Sequence, residues 1–267
     1  MPEYKSGNIG IYYEMTGEGT PVVMLHGFSL DRRMWTRQTV SFAKDHTVIM
    51  PDARGHGLSE APPTGYARED RTGDLERFLE HLKIDRFHLL GFSMGGGDAL
   101  AYAIDNQDKL ISLTLVGTVA AGWSPPKRFK DFTGWARENG VETARQKYMD
   151  SILSYYDRHY SHLRDEMEKM MLDFSGVPWL DPMKGKYKKR DDLSLCHGLS
   201  IPTMLVVGQR DIFFRPLAEQ LAGSIKTARL EIINSAGHMV NMEMPDEFNV
   251  AVLSFFDEAE SGMEKDR

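Results

Sequence analysis

The stretch from His88 to Leu100 joins an apolar run, a glycine-flanked serine and an apolar helical pattern. The run from Phe87 to Leu90 is typical of a buried strand, and the residues after the serine have helical spacing. In such a G-x-S-x-G turn the serine, here Ser93, lies on a sharp corner that exposes its hydroxyl above a sheet. Gly91 and Gly95 allow the strand and the helix to pass closely. The pentapeptide alone could arise by chance, but the strand before it and the helix after it are the context that the motif requires.

The same alternation of short apolar runs and helical patterns recurs along the chain. Alternating strands and helices with short loops predict an α/β fold, with a mostly parallel central sheet flanked by helices on both faces. The predicted strands cover residues 8–15, 21–25, 47–50, 87–90, 110–116, 203–207 and 230–233. The predicted helices include residues 31–43, with Met34, Trp35 and Val40 facing inward, and residues 69–82, 217–222 and 246–256.

Residues 120–199 interrupt this alternation because they contain no convincing strand and are rich in Met, aromatic and charged residues. A mainly helical insertion between two strands of the sheet is the simplest explanation. We therefore expect a core made of residues 1–119 and 200–267, and a helical cap made of residues 120–199. Five apolar residues of the cap are predicted to share one helix face: Leu163, Met167, Met170, Met171 and Phe174.

Composition excludes several classes of function. The net charge is −7 and the isoelectric point is about 5.7, which argues against a nucleic-acid binder because such proteins carry a basic surface. The single cysteine, Cys196, excludes an intrachain disulfide. No secretory signal and no apolar run of membrane-spanning length is present, so the sequence predicts a cytoplasmic protein without a membrane partner. The sequence does not determine the oligomeric state, and a homodimer is one of the open alternatives.

Two later strand ends carry the residue types that could activate Ser93. A serine hydroxyl needs a base to take its proton and a third group to orient that base. The strand over 203–207 leads into Asp211, and the strand over 230–233 leads into His238. Taken alone, Asp211 could be a helix N-cap, and His238 could be one of several structural histidines. Their order after Ser93, each at a strand end, predicts a Ser93–His238–Asp211 triad.

A fourth strand end could supply backbone N–H groups for a negatively charged oxygen. Acyl transfer needs such donors aimed at the developing oxyanion. One is expected from Met94, the residue after the serine, and the other from Phe28 in the sequence His26-Gly27-Phe28. We interpret the side chain of His26 as structural, forming hydrogen bonds within its loop rather than transferring protons.

Taken together, these motifs resemble the α/β-hydrolase superfamily. The resemblance implies that fold, a serine hydrolase with the triad above, and no cofactor. It also implies that Asp52 and Arg54 fix a loop rather than take part in catalysis. The matching segments are His26-Gly27-Phe28, Asp52-x-Arg54-Gly55-His56-Gly57-x-Ser59, Gly91 to Gly95, Gly208-x-x-Asp211 and Gly237-His238.

Within the superfamily the resemblance is to several groups. The sequence Gly91 to Gly97 resembles the corner of bacterial arylesterases and of cofactor-free haloperoxidases, which are esterases with perhydrolase side activity. The sequence Asp31 to Trp35 resembles that of 3-oxoadipate enol-lactonases. Carbon–carbon bond hydrolases are a third relative, although a further glycine-rich oxyanion loop is not intact after Gly27. Haloalkane dehalogenases and epoxide hydrolases are disfavoured because they carry Asp at the position of Ser93.

These observations predict a hydrolase that cleaves a carboxylic ester or lactone of a small, largely apolar substrate through an acyl-enzyme. The alternatives are a carbon–carbon bond hydrolase, a perhydrolase or other acyltransferase, and a ligand receptor with a vestigial triad. The predicted pocket residues are Phe28, Trp123, Trp179 and Met239, with Tyr155, Met167, Met170 and Met171 as further candidates. No metal site is predicted, because the close histidine pair His159 and His162 has no third ligand nearby.

Overall fold

An eight-stranded sheet forms the centre of the computed structural model, which describes residues 3–7, 9–124, 132–181 and 190–265. The spatial order is β1-β2-β4-β3-β5-β6-β7-β8; β1 and β2 pair antiparallel, as do β2 and β4, and the other neighbours are parallel. The predicted mostly parallel α/β sheet is confirmed. The strands are β1 (Glu3–Ser6), β2 (Ile9–Thr16), β3 (Thr20–Leu25), β4 (His46–Pro51), β5 (Phe87–Phe92), β6 (Leu110–Val116), β7 (Thr203–Gly208) and β8 (Ala228–Ile233).

Helices cover both faces of the sheet, which explains why the inner strands are apolar without interruption. In β3, Val22 and Val23 are both fully buried but belong to separate apolar clusters, because successive side chains point to opposite faces. The α-helices in the described part of the chain are α1 (Thr36–Phe42), α2 (Arg68–Leu82), α3 (Met94–Asn106), α4 (Phe132–Asn139), α5 (Val141–His159), α6 (Arg164–Asp173), α7 (Val177–Leu180), α8 (Asp192–Leu195), α9 (Arg215–Ser224), α10 (Val240–Glu243) and α11 (Pro245–Lys265).

The helix expected over residues 31–43 differs from the prediction. A 3₁₀ turn, Arg32–Trp35, precedes α1, and Asp31 caps it by accepting a hydrogen bond from the N–H of Arg33. Val40 is 73% exposed, so its predicted inward position is wrong. Gln38 and Phe42, one helical turn apart, face the core instead, and Val40 between them lies on the opposite side of the helix.

Between β6 and β7 the described residues form α4 to α8 and contain no strand. We call residues 120–199 the β6–β7 segment. Two ion pairs join this segment to the residues around α1: Arg37 contacts Glu166 at 2.7 Å, and Arg33 contacts Asp173 at 2.6 Å. The five residues expected on one helix face are all buried, namely Leu163, Met167, Met170, Met171 and Phe174.

None of the described helices combines the length and the apolar character needed to cross a membrane. The carboxyl ends of β5, β7 and β8 all lie at one edge of the parallel sheet. This edge carries the three side chains that the sequence analysis selected.

Candidate active site

Ser93 lies at the corner between β5 and α3 with a backbone φ of +50°. A positive φ is strained for a residue with a side chain and is held only by its surroundings. The N–H of Ser93 donates to Val116 O at 2.9 Å, and its carbonyl oxygen accepts from Gly97 N at 3.0 Å. These bonds, to β6 on one side and α3 on the other, fix the corner.

The two flanking glycines are required by close backbone contacts. A Cβ atom on Gly91 would overlap the carbonyl oxygen of Gly95. A Cβ atom on Gly95 would lie 2.5 Å from Leu25 O and 2.6 Å from His26 O. The strand before the serine and the helix after it therefore approach as closely as the sequence predicted.

His238 and Asp211 follow β8 and β7, and their side chains are joined. Nδ1 of His238 lies 2.7 Å from Oδ2 of Asp211, whose side chain is almost fully buried. The other oxygen, Oδ1, accepts hydrogen bonds from Phe213 N at 3.3 Å and Phe214 N at 3.1 Å. Asp211 therefore caps the turn that precedes α9 with one oxygen and contacts His238 with the other.

The imidazole of His238 is held between two aromatic rings. It stacks on Phe214 with a centroid distance of 4.4 Å, and Phe92 lies 4.8 Å away on a tilted plane. Among the described residues, none forms a hydrogen bond with Nε2 of His238. Ser93 and His238 line the same cavity, so the structure brings the three predicted residues to one site.

Phe28 and Met94, the two residues predicted to supply backbone N–H donors, line this cavity as well. Met94 is the first residue of α3, so its N–H has no acceptor within the helix. In the described part of the chain, no carbonyl oxygen accepts a hydrogen bond from the N–H of Phe28. Among the described residues, neither N–H is therefore bonded to a main-chain acceptor.

The loop beside Phe28 is fixed by buried polar contacts. His26 accepts a hydrogen bond from Ala53 N at 2.8 Å through Nε2, while its Nδ1 lies 2.8 Å from Gly27 O. Both ring nitrogens are occupied, which confirms the structural interpretation of His26. Asp52 binds Arg32 through a main-chain and a side-chain nitrogen, at 2.8 and 2.7 Å. Arg54 pairs with Asp74 at 2.6 Å, so Asp52 and Arg54 fix loops, as expected.

The cavity has a volume of about 1030 Å³ and lies between the sheet edge and the β6–β7 segment. Phe28, Trp179 and Met239 line it, and so do Tyr155, Met167 and Met171 from the wider set of candidates. Met170 is buried in the core cluster instead.

Trp123 does not line the cavity, so its assignment to the pocket is corrected. Its ring packs on that of Phe214 at a centroid distance of 5.6 Å, and it joins the apolar cluster on the α3 and α9 side of the sheet. Phe214 lines the cavity and is the residue that Trp123 supports.

Two cations in the cavity wall are neutralised by carboxylates. Arg71 binds Asp98 through two nitrogens, at 2.7 and 2.8 Å, and Arg68 binds Asp192. Both pairs join α2 to distant parts of the chain, so the sequence alone does not place a cation near the pocket. These two arginines are paired, but Arg210 lines the cavity as well, so the wall still carries a cation that a substrate could meet.

Glu243 is a functional candidate that the sequence analysis missed. Its buried carboxylate accepts hydrogen bonds from Gly237 N and from Met239 N, the latter at 3.3 Å, on either side of His238. The hydroxyl of Tyr156 in α5 donates to the same carboxylate at 3.1 Å. Burial raises the pKa of the Glu243 carboxyl. The available signal was an acidic residue in an otherwise apolar turn five positions after His238.

The profile described as alpha/beta hydrolase fold matches residues 20–245 of this sequence. The chain belongs to the alpha/beta hydrolase fold family. A putative non-heme chloroperoxidase from Synechocystis is 28% identical over 274 residues, covering 94% of this chain and 96% of the relative.

Two solved structures are similar to this hydrolase-family chain along nearly its whole length. A thermophilic esterase from Thermogutta terrifontis has a TM-score of 0.81 and 28% identity, covering 94% of each chain. An enol-lactonase from Burkholderia xenovorans LB400 has a TM-score of 0.83 at 24% identity and covers 96% of this chain and 100% of its own; it supports the shared fold.

Proposed function

We propose that the protein is a serine hydrolase that cleaves carboxylic esters or lactones of small, largely apolar substrates through an acyl-enzyme. The observation that carries the proposal is the cavity shared by Ser93 and His238, with His238 joined to Asp211 at 2.7 Å. A hydroxyl, a base and an orienting carboxylate in this order are what nucleophilic acyl transfer requires. The esterase from Thermogutta terrifontis supports the same reaction class.

The first half of the reaction forms the acyl-enzyme. Asp211 accepts a hydrogen bond from the N–H at Nδ1 of His238, which leaves the Nε2 lone pair to take the proton of Ser93 Oγ. Oγ bonds to the carbonyl carbon, and the carbonyl oxygen becomes negatively charged. The N–H groups of Phe28 and Met94 stabilise this oxygen, each contributing on the order of 3 kcal/mol. His238 then gives its proton to the alcohol oxygen as the bond between that oxygen and the carbonyl carbon breaks.

The second half releases the acid. Water attacks the acyl carbon while His238 takes one of its protons, and Ser93 Oγ leaves and recovers a proton from His238. The products are the acid, the alcohol and the free enzyme, so the proposed reaction needs only water as a second reactant.

The aromatic and methionine residues of the cavity support a largely apolar substrate. Its walls include Trp179, Met167 and Met171 from the β6–β7 segment and Phe28 from the core. Flexible methionine side chains adapt to ligands of different shape. We propose that this segment is the cap of the enzyme and that its aromatic and methionine residues select the substrate.

A serine-reactive fluorophosphonate tests the chemistry directly. We expect one label per chain, located by peptide mapping on Ser93 and abolished in Ser93→Ala. Ser151 also lines the cavity, so Ser151→Ala is the matched control and is expected to label as the wild type does. The absence of labelling in folded protein, or labelling that persists in Ser93→Ala, would contradict the proposal.

Turnover of a short p-nitrophenyl ester separates an enzyme from a receptor with the same fold, because a receptor would bind without sustained hydrolysis. A comparison of water, short alcohols and hydrogen peroxide as acceptors measures what resolves the acyl-enzyme. We expect acid to be the main product in dilute aqueous buffer. A product formed mainly by transfer to alcohol or peroxide would identify an acyltransferase or perhydrolase instead.

A further inference from the structure

Two buried histidines and a glutamate converge on the other side of the molecule from the cavity. His46 is the first residue of β4, His88 lies near the start of β5, and Glu260 projects from α11. One donor atom of each residue lies within 4.8 Å of those of the other two. Ser93 follows His88 by five positions, which corresponds to about 17 Å along an extended strand.

The imidazole of His46 lacks hydrogen bonds although it is buried. Its Nδ1 has no partner in the described part of the chain, and its Nε2 lies 3.7 Å from Oε1 of Glu260, beyond hydrogen-bond range. The side chain is only 3% exposed. The nitrogen that faces Glu260 is Nε2, and because it forms no hydrogen bond with the described residues it can bind a ligand held between the two side chains.

The spacing of the donors is close to that of a tetrahedral metal site. Zinc binds imidazole nitrogen and carboxylate oxygen at about 2.0–2.2 Å, so neighbouring ligand atoms in a tetrahedron are about 3.3 Å apart. Oε1 of Glu260 lies 3.0 Å from Nε2 of His88 and 3.7 Å from Nε2 of His46. These two edges bracket the tetrahedral value, and the third edge, between the two histidines, is within 4.8 Å.

The surroundings orient the two rings. Nδ1 of His88 is 2.7 Å from the hydroxyl of Ser112, so Nε2 is the nitrogen that faces Glu260. Metal-binding histidines commonly hold their second nitrogen in such a hydrogen bond. Phe256 stacks on His88 with a centroid distance of 4.3 Å and meets His46 edge-on at 5.5 Å. The side chain of Glu260 is 37% exposed, which leaves a path for an ion and a position for water.

We propose that His46, His88 and Glu260 form a binding site for a divalent transition-metal ion. Two imidazoles and one carboxylate favour Zn²⁺ over Mg²⁺ or Ca²⁺, which prefer oxygen ligands. This assignment replaces the expectation from the sequence that no metal is bound. The ion would connect α11 to β4 and β5, and its distance from Ser93 gives it a role in stability rather than in acyl transfer.

Calorimetric titration of tag-free, chelator-treated protein with Zn²⁺ tests the site. We expect one ion per chain, with a thermal midpoint raised by about 5 °C or more at a hundredfold excess over Kd. Co²⁺ should give the visible absorption of a four-coordinate site. Ester hydrolysis is expected to stay within twofold of the metal-free enzyme.

Glu260→Gln is the test variant because its side chain is partly exposed and its loss should not prevent folding. We expect it to lower Zn²⁺ affinity at least tenfold, as His88→Gln should. His197→Gln, at an exposed histidine outside the cluster, is the matched control and should bind as the wild type does. The absence of saturable binding, or equal binding by Glu260→Gln and the wild type, would overturn the proposal.

Discussion

His238 Nδ1 and Asp211 Oδ2 lie 2.7 Å apart at adjacent strand ends, and the same carboxylate caps the turn before α9 through its other oxygen. Orientation of the base and local folding thus depend on one side chain. A substitution that keeps Oδ1 and changes only the group facing His238 can separate the two roles.

Asp211→Asn is that substitution. We expect kcat for a p-nitrophenyl ester to fall roughly 10⁴-fold, because an amide facing Nδ1 favours the wrong tautomer of His238. The thermal midpoint should change little, since Oδ1 still accepts from Phe213 N and Phe214 N. Steady-state kinetics and thermal melts of both proteins measure the two effects. A variant that retains more than a tenth of wild-type kcat would exclude the triad assignment.

Glu243→Ala should lower kcat although Glu243 is not one of the proposed catalytic residues. The change removes the acceptor of three donors, the N–H groups of Gly237 and Met239 and the hydroxyl of Tyr156. Each buried donor left without a partner costs about 1–3 kcal/mol of stability. We expect kcat to fall about tenfold or more with KM nearly unchanged, because the His238 loop shifts.

Two further variants distinguish positioning from general destabilisation. Glu243→Gln keeps one acceptor oxygen and should recover part of kcat. Tyr156→Phe leaves both main-chain bonds to Glu243 and should lower stability more than kcat. Equal losses of kcat in Glu243→Ala and Tyr156→Phe at matched stability would argue against a positioning role.

Gly95→Ala and Gly223→Ala should change stability in opposite directions. The new Cβ at position 95 would meet the backbone oxygens of Leu25 and His26, so we expect a loss of several kcal/mol or no folded protein. Gly223 is exposed near the end of α9 with open space around it, so alanine should stabilise by about 0.5–1 kcal/mol. Urea denaturation of the two variants measures both free energies, and destabilisation by Gly223→Ala would contradict the description of α9.

The ion pair between Arg37 and Glu166 predicts a pH dependence. Its hydrogen bonds lower the pKa of Glu166 in the folded protein. The stabilisation by this ion pair is therefore present above about pH 4.3, the pKa of Glu in the unfolded chain. It is lost as the pH falls through the lower pKa that Glu166 has in the folded protein. Because both side chains are partly exposed, we expect only about 0.3–1 kcal/mol, reduced further by salt.

Thermal melts of the wild type and Glu166→Gln over pH 3 to 8 measure this contribution. The difference between the two proteins should be largest near neutral pH and vanish at the acid end. A difference that is independent of pH would show that the charge of Glu166 is not its source.

The sequence predicted those parts of the site that depend on local structure. Ser93 was identifiable because a strand, a glycine-flanked corner and a helix are contiguous, and Asp211 and His238 because each follows a strand end. The mostly parallel sheet followed from the same alternation. What could not be predicted depends on contacts between distant segments, such as the hydrogen bond from Tyr156 to Glu243.

The two wrong predictions, for Val40 and Trp123, also concern contacts between distant segments. The prediction that Val40 faces inward rests on its apolar side chain, whereas Gln38 occupies the inner face by hydrogen bonding to Asn241 and Asn249. Trp123 was assigned to the cavity because it is aromatic and lies near the predicted cap. In the folded chain it packs behind Phe214, a position that only the three-dimensional arrangement determines.

Phe28 has a consequence for the relation between substrate fit and reaction rate. The ring of this residue lies against Phe174 at 4.9 Å and Trp179 at 5.9 Å, both in the β6–β7 segment. Its backbone N–H is one of the two donors proposed to stabilise the charged oxygen. A substitution of Phe174 or Trp179 would therefore reach the proposed oxyanion donor through the ring of Phe28, so that residues chosen for the shape of a substrate would also influence the rate of its reaction.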